Sequence, residues 1–85
     1  MERLFYVDII REGRVGLLAG PFPSEPIARE YERVAYRKAC EVDPWADFDP
    51  HGVVGVDPAV HNKPGRINHL IEIDPVDLVA MPGVQ

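Results

Sequence analysis

The sequence predicts an α+β domain of order β-β-α-β(-β), a small, mainly antiparallel sheet with one long helix packed on one face. Three observations carry this. Apolar residues alternate over residues 3–11 and 14–19, on either side of Glu12-Gly13, which is the period of a half-buried strand pair. After Ser24 the apolar period changes to that of a helix and holds to Val42. A valine run, Val53-Val54-Gly55-Val56, then stands between Gly52 and Asp57-Pro58, bounded as strands are.

In the first strand Phe5, Val7 and Ile9 share one face, and Leu4, Tyr6, Asp8 and Ile10 the other. That second face is mixed, so cover on both sides is expected. Glu12-Gly13 is not the Asn-Gly or Asp-Gly of a tight primed turn, which predicts a slightly longer loop with Gly13 left-handed. The return strand places Val15, Leu17 and Ala19 together and is expected to stop at Gly20-Pro21-Phe22-Pro23, where two prolines remove two backbone donors. Ser24 is a good N-cap, Glu25 suits the helix dipole, and Pro26 is tolerated in the first turn. Ile27, Tyr31, Val34, Ala35 and Val42 form the expected core stripe, with Lys38 inside it and Ala28 and Ala39 at its edge.

Asp43-Pro44 ends the helix. Trp45 and Phe48 in the following acidic loop are expected to pin it to the core, since leaving such rings in water is costly. Residues 52–56 form a third strand. Residues 67–73 read either as a fourth strand or as a helical turn leading into one. The core is expected to include Phe5, Val7, Ile9, Leu17, Tyr31, Val34, Trp45, Phe48 and Val54. Asp-Pro recurs at 43, 49, 57 and 74, each time at a boundary; this is repeated turn chemistry. Residues 1–74 are read as one domain and 75–85 as a poorly ordered tail or one ordered by a partner.

With 85 residues, 46% hydrophobic and 27% charged, the chain is a single globular domain near the lower limit for a self-sufficient core. No apolar run approaches the ~20 residues that span a bilayer, and the N-terminus lacks a signal-peptide pattern, so a cytoplasmic location is expected. The net charge is −5, and Asp43, Asp47, Asp49 and Asp57 supply most of it without an intervening Lys or Arg. Nucleic-acid binding is therefore disfavoured, because it requires cations offered to phosphates.

No constellation supports catalysis or a cofactor. Asp47, Asp49, His51 and Gly52 imitate the start of a calcium loop, but His51 and Pro58 stand at two ligand positions. His51, His61 and His69 lack the short paired spacing of zinc motifs; whether they could hold a metal with Asp47 or Asp49 is left open. Cys40 sits near a helix C-terminus, where the dipole disfavours a thiolate. The residues that do suggest function are Arg29, Arg33 and Arg37, recurring every four positions with Tyr36 beside them, and Asp47 and Asp49 in the acidic loop. A solvated face with Glu25–Arg29 and Arg37–Glu41 pairs would explain the row; a contact surface would also, since Tyr and Arg are favoured interface anchors.

The corner Ala19-Gly20-Pro21-Phe22-Pro23-Ser24 followed by Ala28 is similar to the strand–GPF–helix element of SPOR domains. That resemblance implies binding of peptidoglycan glycan strands. The hairpin and corner together with Asp43-Pro44-Trp45, Phe48, Gly52 and Pro64-Gly65-Arg66-Ile67-Asn68 resemble small uncharacterised bacterial phage and prophage proteins, which implies no particular activity. The expectation is a small non-enzymatic adaptor or modulator that binds a protein partner or itself, with a SPOR-like glycan-binding module as the alternative.

Overall fold

A computed structural model describes residues 3–79. Its centre is β1 (Leu4–Arg11), flanked on either side by β2 (Arg14–Phe22) and β3 (His51–Val56) in an antiparallel sheet of order β2-β1-β3. The helix α1 (Glu25–Val42) lies across one face of all three strands. This is the expected β-β-α-β architecture. No helix of the described residues is long and apolar enough to cross a membrane.

The hairpin is tighter than expected. Arg11 pairs directly with Arg14, so Glu12 and Gly13 alone make the turn, with φ of 52° and 76°. This is the two-residue turn whose left-handed positions match the strand twist. Glu12 is the misfit, since a β-carbon is disfavoured there and Asn tolerates the region better. Glu12→Asn is expected to raise unfolding stability by about 0.5–1 kcal/mol, read by urea denaturation; an unchanged midpoint would mean that the turn carries no strain.

β2 does not stop at Gly20. Its pairing slips by one residue twice, between Asp8↔Leu17 and Val7↔Ala19 and again before Phe5↔Phe22. Each slip is an extra residue on β2, and bulges let an edge strand carry prolines past a ladder. The first slip also moves Leu18 into the core, leaving Leu17 half-buried and Val15 exposed, so the expected Val15/Leu17/Ala19 face is broken.

The helix meets the sheet through small residues. Ala28, Ala35 and Ala39 are buried, with Ile27, Tyr31 and Cys40 packed beside them. Val34 and Val42, placed in the expected stripe, are 49% and 62% exposed. The true stripe is rotated toward the alanines, which allow close approach. Ser24 caps the helix as expected, accepting from the Ile27 N–H. Val53, opposite Val7 in the register, joins the core in place of Val54, which pairs with Tyr6 on the reverse face.

That reverse face is covered by the chain after β3. Tyr6 is fully buried, donates its hydroxyl to the Lys63 carbonyl (2.7 Å) and meets His61 edge-on; burial pushes its phenol up to about 12. The chain then runs along the outer edge of β2. Gly65, Arg66 and Ile67 donate to the carbonyls of Gly20, Leu17 and Leu18 (3.0, 2.9 and 2.9 Å). The Asn68 side chain accepts from Gly20 N (3.0 Å) and donates to the Gly20 carbonyl. Residues 68–70 form a 3₁₀ turn, and among the described residues no fourth strand follows. Ile71, Ile73 and Leu78 pack on the core, Asp77 accepts from the Tyr31 hydroxyl (2.7 Å), and Val79 donates to Pro21. Residues 80–85 of the expected tail lie outside the described residues.

Asp8 is buried on the reverse side of β1, opposite Gly52. Burial raises its carboxyl above the ordinary value, against the opposing pull of the Asp8 and Gly52 backbone groups. The folded state therefore holds this proton more tightly than the unfolded one, and Asp8 subtracts stability as pH rises from the ordinary carboxylate range through the raised value. Asp8→Asn is expected to melt on the order of 4 °C above the parent near neutral pH, with the gap closing in acid. A gap independent of pH would show that the charge is not the cause.

Candidate partner-binding surface

The residues that stand out are those expected inside. Trp45 is 72% exposed and Phe48 77% exposed. The reason is local. Residues Pro44–Phe48 form a 3₁₀ turn in which Ala46 faces the core. Three residues per turn eclipse positions i and i+3, so burying Ala46 sets both rings outward on one side. Their centroids lie 5.9 Å apart.

The turn is held at both ends. Asp43 accepts from the Trp45 N–H (3.1 Å). Arg11, at the end of β1, donates through Nη1 to Asp43 (2.7 Å) and through Nε to Asp49 (2.8 Å). The Arg11 hydrogen bond, and then the Trp45 N–H, hold the Asp43 carboxyl below its ordinary value. This clamp therefore contributes stability above the ordinary carboxylate range and loses it as pH falls through the lowered value. Both ends being fixed, the aromatic pair is presented with little conformational freedom to lose on binding.

Beside the rings a groove of about 570 Å³ opens between the hairpin end and the helix C-terminus. Ile9, Leu18, Ala39, Ala46 and Ile67 give it an apolar floor, and Val15 and Val42 extend it outward. Arg14 and Arg66 stand on its wall and make no ion pair among the described residues. The arrangement offers an apolar seat, two rings and two available guanidinium groups. Among the described residues that line the groove, no nucleophile is paired with a base.

The structure disperses the basic row and the acidic loop. Arg29 is bound to Glu25 (3.1 Å) and Glu32 (3.5 Å) on its own helix. Arg33 and Arg37 are exposed, and Glu41 pairs with Lys38 (3.4 Å) in place of Arg37. Tyr36 is turned toward β3, where it stacks on His51 (3.9 Å) and donates to the Asp47 carbonyl (3.0 Å). Asp49 is drawn to Arg11. Tyr36 and Asp47 thus come together, and Arg29, Arg33, Arg37 and Asp49 do not join them. His51 binds Glu32 (2.8 Å), His61 packs on Tyr6 and His69 is exposed; no group of three metal-ligating side chains assembles among the described residues.

Sequence reasoning missed Arg11, Arg14 and Arg66; the first two flank one turn, and Arg66, far along the chain, joins them only through the fold. The available signal was Pro44 with Ala46, which could have announced a 3₁₀ turn and hence outward rings. No family model, curated protein or solved structure matches this chain.

Proposed function

We propose that this chain is a small non-enzymatic protein that binds another protein through the Trp45–Phe48 end of the molecule. The exposure of two large rings on a clamped turn carries the reading. Burying each would contribute about 1.5–3 kcal/mol, and Trp and Arg are the residues that dominate interface energetics. The groove beside them suits an apolar side chain of the partner. Arg14 and Arg66 suit a carboxylate next to it, by charge complementarity.

The test is affinity capture with tagged parent protein and with a Trp45→Ala/Phe48→Ala variant, followed by titration of the purified captured protein. A partner that the parent binds and the double variant does not supports the reading. Retention of every partner by the double variant overturns it.

A further inference from the structure

The two edges of the sheet differ. The outer edge of β2 is occupied by the backbone of residues 65–67 and 79. Along the outer edge of β3 no backbone partner is present among the described residues. β3 reads His-Gly-Val-Val-Gly-Val, without Lys, Arg, Asp, Glu or Pro, and each of its residues is half-buried or exposed. Its own residues lack the charged or proline blocks that usually protect such an edge, and the one charged side chain that hydrogen-bonds the backbone of this edge among the described residues, Arg3, touches the Gly55 carbonyl alone.

The register identifies which groups face outward. Partners across β1 and β3 sum to a constant, from Leu4↔Val56 to Ile9↔His51, and the Ile10 N–H donating to Pro50 continues the series. Antiparallel pairs alternate between hydrogen-bonded and non-bonded. Gly52, Val54 and Val56 therefore bond β1, while His51, Val53 and Gly55 turn their N–H and C=O groups away. Consistently, Arg3 reaches the Gly55 carbonyl from the side (3.3 Å).

This outward set is symmetric about Val53. We propose that β3 pairs with β3 of a second copy, antiparallel and centred on Val53, to make one continuous six-stranded sheet. Val53 of one copy then faces Val53 of the other, and His51 faces Gly55, forming about six backbone hydrogen bonds. Gly52 falls opposite Val54, so across residues 51–55 a glycine faces the bulkier residue at each off-centre position, while Val56 falls opposite Pro50. Just beyond the paired residues Asp57 comes opposite Asp49, which is already paired with Arg11 (2.8 Å). A two-fold axis normal to the sheet puts both helices on the same side. Each helix spans all three strands and so centres on β1, and the two β1 strands would be about 14 Å apart, three strand spacings. Packed helices approach to about 8–10 Å, so they clear each other. The pairing uses the backbone of residues 51, 53 and 55 and neither exposed ring, so it stands or falls separately from the Trp45–Phe48 reading.

A single short strand pair buries less than a standard interface, so the expected Kd is on the order of 100 μM. Sedimentation equilibrium together with amide exchange on the parent protein tests it. Between about 50 μM and 1 mM the mass should move from monomer toward dimer. Exchange at Val53 and Gly55 should slow about threefold over that range, which is the fall in monomer fraction at this Kd, with Gly52 and Val54 protected throughout. Val53→Pro, which removes an outward donor and no β1 bond, should remain monomeric. A monomer at the highest concentration would overturn the proposal. So would a dimer whose Val53 and Gly55 amides still exchange freely, a result that needs no variant to fold.

Discussion

Gly65→Ala is expected to destabilise the fold by about 3 kcal/mol or more, a large share of the 5–15 kcal/mol that holds a domain of this kind together. A β-carbon at Gly65 would stand 2.5 Å from both the Ala19 Cα and the Leu18 carbonyl oxygen, and 2.6 Å from the Ala19 N. These are backbone atoms of β2, which cannot swing aside as a side-chain tip can. The chain at 65–68 would have to lift from the sheet edge. Lifting it breaks the donations from Gly65, Arg66 and Ile67 and the Asn68 clasp on Gly20, each worth about 1 kcal/mol, and withdraws Ile67 from the core. Urea denaturation of parent and variant measures the effect. A midpoint within error of the parent would show that residues 65–68 do not seal the β2 edge as described.

Replacing Trp45 has the opposite profile: little effect on folding and a large one on binding. The ring is mostly in water and the cap on its backbone N–H comes from Asp43, so Trp45→Ala should move unfolding stability by less than about 0.5 kcal/mol. At an interface centre the same truncation should cost about 2 kcal/mol or more, about thirtyfold in Kd. Calorimetric titration of a captured partner with parent and variant, beside melts of both, separates the two effects. Equal affinities would remove Trp45 from the contact surface. A large drop in melting temperature would mean that the ring belongs to the core after all.

The fold was legible where local chemistry is strong. The alternation in 3–11, the Ser24 cap and the valines bounded by Gly52 and Asp57-Pro58 each fix an element by backbone and solvent preferences alone. What was not legible depends on long-range pairing. The bulge that places Leu18 inside arises from the register of β2 against Phe5, Val7 and Asp8. The rotation of α1 toward Ala28, Ala35 and Ala39 follows from how closely a helix can approach a sheet, which hydrophobicity alone does not rank; Val34 and Val42 outscore alanine on any transfer scale. The surface was misread for a related reason. Burial was inferred for Trp45 and Phe48 from their size, but the 3₁₀ geometry of residues 44–48 leaves room for Ala46 only.

The exposure of Trp45 in the unbound chain is the claim on which the functional reading rests, and this chain has a single tryptophan. Its fluorescence, recorded at low micromolar concentration with a neutral quencher, tests that claim directly. The structure predicts emission like that of tryptophan in water and quenching close to that of the free amino acid, both lost when a partner binds. Blue-shifted emission with resistance to the quencher in the unbound protein would place the ring in an apolar interior and contradict the account.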